Sequence, residues 1–412
     1  MNMDVKKVVG EVIGKVKPDE KLMKELWVET KNLKSLIEKG IKKRKVKADV
    51  FLGGSFAKGT MIKKNKYDVD VYVRFKDGKK DISEELGKIL VKAEKIHGSR
   101  DYFRIQKGSA TWEIIPILRI SKPGEAKNIT DLSPFHVTYI QSKIKKNKKL
   151  GDEILLAKAF CYAQEVYGAE SYIHGISGYG VELLLCYYQS FMKMIRTMGE
   201  AEERIIIDGE KQYKNKNEIL NSVNEAKLQS PIVLIDPTFR ERNALAALSK
   251  ETYEKFRNSC REFLKNPSLS FFERKSFDEN EFRKGNGEFV KVVSKTNKQK
   301  GDIAGSKLFK FHRFLRGSAE KYFSILKDQF VYDDKQKGES YFMLEKKGEI
   351  ILSGPPIVSI ENVARFKKKH KNCYVEEGKV YAKESGKSWN TFFKEFKDKN
   401  KVSIKSMGIK LD

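Results

Sequence analysis

Residues 53–75 read GGSFAKGTMIKKNKYDVDVYVRF: a glycine pair and a serine, a basic loop, then two aspartates one residue apart in a β-rich run. Along 68–75 the residues alternate, with Asp68, Asp70 and Tyr72 directed one way and Val69, Val71 and Val73 the other. Side chains two apart on a strand share a face, so the pattern predicts a strand whose valines enter a core while both carboxylates converge on one spot. Two carboxylates that close repel each other unless a cation lies between them. Mg²⁺ suits such a site, because it takes oxygen ligands, keeps several waters and leaves room for phosphates. Upstream, Gly53, Gly54 and Ser55 follow a predicted strand at Ala48–Leu52, where backbone N–H groups and a hydroxyl can cradle an anion. A hairpin with a solvated acidic face would also carry two aspartates at this spacing. The Gly-Ser turn about a dozen residues ahead favours the metal-and-phosphate reading.

A chain of 412 residues is too long for one core, which predicts two to four domains. At 40% hydrophobic residues it can build proper cores, which argues against a disordered protein. Its 83 Lys+Arg against 56 Asp+Glu give a formal charge of +27, the balance expected of a protein that meets nucleic acid or an anionic membrane surface. The membrane is the weaker partner, since no apolar run reaches a bilayer span and residues 1–10 do not read as a signal peptide. Cys161, Cys186, Cys260 and Cys373 are few and widely spaced, predicting reduced thiols in a cytoplasmic protein and no disulfide frame. His97, His136, His174, His312 and His370 share no zinc spacing with them, which predicts no structural zinc.

Residues 18–43 carry Leu22, Leu26, Thr30, Leu33, Ile37 and Ile41 at helical spacing and predict an amphipathic helix. A further helix is expected at 83–97 and a third strand at 110–118, ATWEIIPIL, where Glu113 is a charged residue in an otherwise apolar run. An edge strand can carry such a charge, but Glu113 is also the candidate third metal ligand. Helices follow at 152–167 and 179–197, separated by the glycine-rich GISGYG. Lys158 lies off the apolar stripe of the first, where a lysine is expected to be solvated. Tyr167 can join it only if the chain leaves the helix. A buried strand at 231–237 leads to Arg240, Arg242 and Asn243, placed at the start of a helix over 244–265, as caps or as readers of a base or phosphate. Beyond 270 the pattern gives strands at 289–294, 341–345 and 349–352, a polar mobile loop at 295–301, and basic helices at 305–329 and 360–370. Lys, Arg and aromatic residues interleave there, which suits an RNA-binding platform, although any single ring is more simply core.

Several ordered blocks resemble the archaeal-type, class I CCA-adding enzymes, a family of tRNA nucleotidyltransferases. GGSFAKGT with YDVDVYV resembles the nucleotidyltransferase signature, which poly(A) polymerases and cyclic-dinucleotide synthases share. TDLSPFHVTYI (130–140), LLAKAFCYAQEVYGAE (155–170), ISGYGVELL (176–184), IDPTFRERNALAALS (235–249) and SGPPI (353–357) follow in the family's order, and the later blocks are the more specific. The resemblance covers nearly the whole chain. It implies an α/β plus α multidomain architecture: a polymerase-beta-like nucleotidyltransferase head at 1–150, a helical neck at 151–265, and an α+β body and tail at 266–412 that binds the acceptor stem and 3′ end of tRNA. It implies addition of C, C and A from CTP and ATP without a nucleic-acid template, and it admits a homodimer. Asp68 and Asp70 match Mg²⁺ ligands of a two-ion site, and Glu113 stands at the third carboxylate. Gly54, Ser55 and Lys58 match the triphosphate turn, His136, Lys158 and Tyr167 match other nucleotide contacts, and Arg242 matches the arginine that helps select the base. Glu113 replaces the usual Asp, one methylene longer, and Lys58 replaces the usual Arg, giving up bidentate phosphate geometry. A poly(A)-type polymerase of the same superfamily and a catalytically inactive RNA-binding relative are the two rival readings.

Overall fold

The computed structural model describes residues 3–78, 81–98, 100–297, 300–333 and 335–411. They form two compact units, Met1–Ala169 with Ile173–Lys275, and Glu170–Tyr172 with Ser276–Asp412.

The first unit opens with helices α1 (Met3–Val16) and α2 (Glu20–Lys43). Asp19 caps α2 by accepting from the Lys21 and Leu22 N–H groups, and Leu26, Thr30, Ile37 and Ile41 form its buried stripe. Strand β1 (Ala48–Leu52) leads through the single-turn α3 (Gly54–Lys58) and the basic loop to β2 (Tyr67–Phe75). After α4 (Ile82–Gly87) come β3 (Glu94–Ile96), β4 (Tyr102–Lys107) and β5 (Ala110–Leu118). The sheet runs β1-β2-β5-β4-β3, with β2 and β5 parallel and the other pairs antiparallel. Val69, Val71 and Val73 are fully buried in a core with Ile37, Trp112 and Ile114. Each such side chain contributes about 1.5–3 kcal/mol, and the Trp112 indole N–H donates to Thr30 at 2.9 Å. The valines thereby fix which face of β2 the aspartates occupy. The helix expected over 83–97 is shorter. Gly87, packed against the Phe103 ring, ends α4, and residues 94–96 pair with β4 as the sheet edge.

Helices α5 (Ser133–Lys146), α6 (Lys149–Ala163), α7 (Gly178–Tyr188) and α8 (Phe191–Glu200) follow. Then come β6 (Ile205–Ile207), α9 (Lys216–Ser222), β7 (Ile232–Asp236), β8 (Phe239–Asn243) and α10 (Lys250–Lys265). Phe160 packs edge-on to Phe191, Phe256 and Phe263 with ring centroids 5.7–6.3 Å apart, the centre of a second core. Three expectations change here. α6 stops at Ala163, Glu165 turns to positive φ, and Tyr167 pairs with Ile176 as an isolated parallel bridge. The single helix expected over 179–197 is two, broken at Gln189 with φ of 59°. Residues 239–243 fold back on β7 instead of entering a helix, because the Asn243 side-chain oxygen accepts from the Leu234 and Leu245 N–H groups and locks the hairpin.

The second unit contains α11 (Glu279–Phe282), β9 (Glu288–Lys295), α12 (Gly301–Ala319), β10 (Phe323–Tyr332), β11 (Lys337–Lys346) and β12 (Glu349–Pro356). It continues with α13 (Ile360–Lys369), β13 (Cys373–Glu376), β14 (Lys379–Ser385), α14 (Trp389–Lys399), α15 (Lys401–Ser406) and β15 (Lys410–Leu411). One antiparallel sheet runs β10-β11-β9-β15, the other β12-β14-β13. α12 and α14 bury Leu308, Phe311, Trp389 and Phe392 with Phe342 of the larger sheet. The helix expected through 329 ends at Ala319, because 323–332 pairs along its length with β11. Of the loop expected at 295–301, residues 298 and 299 lie outside the described residues. Phe311 and Phe323 are core rings and therefore offer no stacking surface.

Candidate active site

The register of the parallel pair places Asp70 of β2 directly beside Glu113 of β5. Asp68, two residues back on the same face, is exposed. The Gly53 N–H donates to the Asp70 carbonyl at 2.9 Å, pulling the turn onto the strand. Gly54 then adopts φ of +61°, and a Cβ there would stand 2.0 Å from Asp70 Oδ2. This close approach explains why glycine is needed at 54. Burial, then the charges of Glu113 and Asp68, raise Asp70 to about 7, with Lys58 opposing. An added cation would favour the ionised form of a carboxyl so placed, and the oxygen donor set fits a hard divalent ion. Glu113 accepts from Arg104 of β4 at 2.9 Å. Among the described residues no three His, Cys, Asp or Glu side chains converge as a metal-holding group.

Ser55, Asp68, Lys158 and Tyr167 line one cleft, together with Lys64 and Lys66 of the basic loop. The break after Ala163 is what lets Tyr167 join Lys158, and its hydroxyl fits over Gly178, where a Cβ would stand 2.5 Å from it. Lys64 sits over the Tyr162 and Tyr167 rings at 4.6 and 5.0 Å. Lys158 is not solvated as its position off the apolar stripe suggested, but buried. It donates to Glu182 Oε1 at 2.6 Å and to the hydroxyl and carbonyl of Thr60 at 3.0 and 3.1 Å. Lys58 turns to the same carboxylate, at Oε2. Burial alone would raise Glu182, but the Lys158 and Lys58 charges outweigh it and hold the carboxyl at about 2.

A second cluster adjoins the first. His136 of α5 stacks on Tyr179 at 4.0 Å, and its Nε2 lies 3.2 Å from Asp236 Oδ2 at the end of β7. Arg242 of β8 donates to the same Oδ2, Tyr179 donates its hydroxyl to Oδ1 at 3.0 Å, and the Arg242 guanidinium lies 5.7 Å from the Tyr179 ring centre. Burial would raise Asp236, yet His136 and Arg242 hold it well below the carboxylate range. Lys58 joins the clusters, lying 5.9 Å from the same ring. The fold thus gathers Gly54, Asp68, Asp70 and Glu113 on one side and His136 and Arg242 on another, with Ser55, Lys158 and Tyr167 along the cleft. Thr60, Tyr179, Glu182 and Asp236 escaped the sequence reading. For Glu182 and Asp236 the signal was a lone charge in an apolar segment: Glu182 in GYGVELLLCYY, facing Lys158 in KLGDEILLAKAFCYA, and Asp236 ending IVLID.

The family described as nucleotidyltransferase domain matches residues 34–136, and that described as tRNA nucleotidyltransferase, second domain, matches residues 152–273. The CCA-adding enzyme of Nanoarchaeum equitans is 31% identical over 344 residues, covering 81% of this chain and 83% of its own. That of Methanosarcina mazei is 30% identical over 400 residues, covering 89% and 84%, and that of Methanocaldococcus jannaschii 27% over 404 residues, covering 92% and 87%. Among solved structures, a cytoplasmic RNA terminal U-transferase has a TM-score of 0.52 at 16% identity, and the Cid1 poly(U) polymerase with Mg and 3′-dATP a TM-score of 0.52 at 15%. Each covers 67% of this chain and 100% of the other, a likeness in fold alone, that of polymerase-beta-like nucleotidyltransferases. On the shared sequence along most of its length, this chain belongs to the archaeal family of CCA-adding enzymes.

Proposed function

We propose that this protein adds C, C and A to the 3′ end of tRNA, attaching or repairing that end from CTP and ATP without a nucleic-acid template and releasing pyrophosphate. The observation that carries the reading is Asp70 and Glu113 side by side on parallel strands, with the Gly54 turn pressed on Asp70 at a cleft lined by Ser55, Lys158 and Tyr167. By this reading residues 1–150 are the catalytic head, 151–265 the neck that selects the nucleotide, and 266–412 the body and tail that hold tRNA. Asp68, Asp70 and Glu113 would hold Mg²⁺, two ions in all, which when bound lowers the pKa of the attacking 3′-hydroxyl and neutralises charge on the triphosphate. The chain itself supplies position and charge, and no side chain need become a covalent nucleophile. The α3 N-terminus with Ser55 meets the phosphates, Lys58 and Lys158 supply positive charge, and Tyr167 contacts sugar or phosphate. Arg242, braced by Asp236 through one donor, keeps others for a base edge. The four cysteines are free thiols, in keeping with the cytoplasmic location we infer. The test is to incubate the protein and Mg²⁺ with tRNA lacking its CCA end and each labelled nucleotide in turn. CTP, then ATP on the CC-ended product, should be incorporated. Incorporation of ATP alone favours a poly(A)-type enzyme, and none at all an inactive relative.

A further inference from the structure

Glu182 gathers three donors in the interior of the first unit. Its Oε1 accepts from Lys158 Nζ and from the Thr60 hydroxyl, each at 2.6 Å, while its Oε2 takes Lys58 Nζ. With the Thr60 hydroxyl and carbonyl as further acceptors, all three N–H groups of Lys158 are committed. Lys58 gives one of its three to Glu182. The carboxylate is wholly buried, and Lys158 and Lys58 show only 2% and 8% exposure. Two ammonium groups thus share one buried carboxylate, a local excess of positive charge that the Asp70 carboxyl, in electrostatic reach of Lys58, offsets in part. A buried excess charge is costly until an anion completes it. Lys158 lines the cleft that also contains Ser55 and Asp68.

We propose that Glu182 is the positioning residue of the nucleotide site: it keeps Lys58 and Lys158 fixed and charged side by side, so that an arriving triphosphate completes the cluster, with Lys58 the lysine that turns to the phosphates. This rests on the nucleotidyl-transfer reading above. The groups facing the cluster are Lys58 of α3, Thr60 and Lys64 of the basic loop, Lys158 of α6, and Glu182 and the Cys186 thiol of α7, with Asp70 of β2 and His136 of α5 within electrostatic reach of Lys58. Burial already draws Lys158 down to about 8 against the pull of Glu182. With the carboxylate gone, the two ammonium groups lose their shared counterion and repel each other, so one sheds its proton more easily.

The experiment compares wild type, Glu182→Gln and Glu182→Asp in single-nucleotide addition across pH 6 to 10, with equilibrium CTP binding over the same range. In the Gln variant the alkaline limb of kcat/KM should move down by about one pH unit or more. KM should rise roughly tenfold for CTP and ATP alike, with kcat changing less. The Asp variant keeps the charge and should restore the limb, with KM partway. A Gln variant with the wild-type limb and KM, or with kcat lowered equally at every pH and KM unchanged, overturns the proposal. Should the Gln variant not fold, Lys58→Met gives the opposite reading: the limb should move up, since one cation then has the carboxylate to itself, and an unmoved limb overturns the proposal. A wild type that adds no nucleotide yet binds CTP with this pH profile would sink the activity and leave the role of Glu182 standing.

Discussion

By the proposed reading Asp70 and Arg242 divide the work of the site between transfer and choice, and each can be removed separately. Asp70→Ala should abolish nucleotide addition while tRNA affinity stays within a few-fold of wild type, because the proposal gives Asp70 the metal and not the RNA. Wild-type turnover by that variant in a single-turnover assay would remove this carboxylate from the reaction. Arg242 sits at the end of the β7–β8 hairpin, braced by Asp236 and laid against Tyr179. Its outer donors can meet the O2/N3 edge of cytosine or N1 of adenine, whereas the N3–H of uracil would face them donor to donor. Arg242→Ala should therefore lose about 1–3 kcal/mol of discrimination, the scale of one polar contact to a base, with triphosphate binding changed less. Asp236→Asn should act in the same direction, since it releases the guanidinium. Unchanged C-over-U and A-over-G ratios in both variants would place base reading elsewhere.

The α3 turn and the α6–α7 pair are the elements on which the site depends. Gly54→Ala forces a side chain into φ of +61° and against Asp70 Oδ2. The backbone alone costs about 1–2 kcal/mol, and displacing the carboxylate by an ångström should lower kcat about 100-fold. A kcat within threefold of wild type would mean that the turn has room to move. For α7, burial would raise Glu182 but two lysines hold it at about 2, below its ordinary 4.5. A depressed carboxylate contributes stability above its unfolded pKa and loses it as pH falls through the folded one. The stability difference between wild type and Glu182→Gln should therefore shrink as pH falls from about 5 to about 2, measured by denaturant unfolding at each pH. A difference constant over that range contradicts the assignment. These elements also show what was legible in the sequence. The alternation over 68–75 and the run at 110–118 specified β2 and β5 almost to the residue, because a strand with one buried face leaves a period-two imprint. The break after Ala163, the split at Gln189 and the fold-back at 239–243 left none. They depend on single non-glycine residues at positive φ and on the Asn243 side chain bonding across the hairpin, neither of which leaves a hydrophobic period. Glu182 and Asp236 were likewise invisible as site residues: a lone charge in an apolar helix or strand acquires meaning only from its partner on another element.

At the scale of the whole molecule the charge of +27 favours a polyanion partner, and the second unit contributes a sheet pair with the basic helix α13, none of whose residues is buried. If that surface holds tRNA through phosphates, affinity should fall linearly on log–log axes as salt rises, with a slope reflecting several displaced counterions. A flat response in filter binding between about 50 and 200 mM salt would assign the charge to something other than tRNA. Charge alone does not separate this protein from enzymes that tail RNA with one nucleotide, since the fold they share covers two-thirds of the chain. The product does. The most direct measurement supplies purified protein, Mg²⁺ and tRNA ending before its CCA with all four nucleotides together, and sequences the 3′ ends formed. The expected product is a uniform C-C-A that stops at A, with U and G absent. Runs of A or U, a mixed tail, or an unextended tRNA would contradict it.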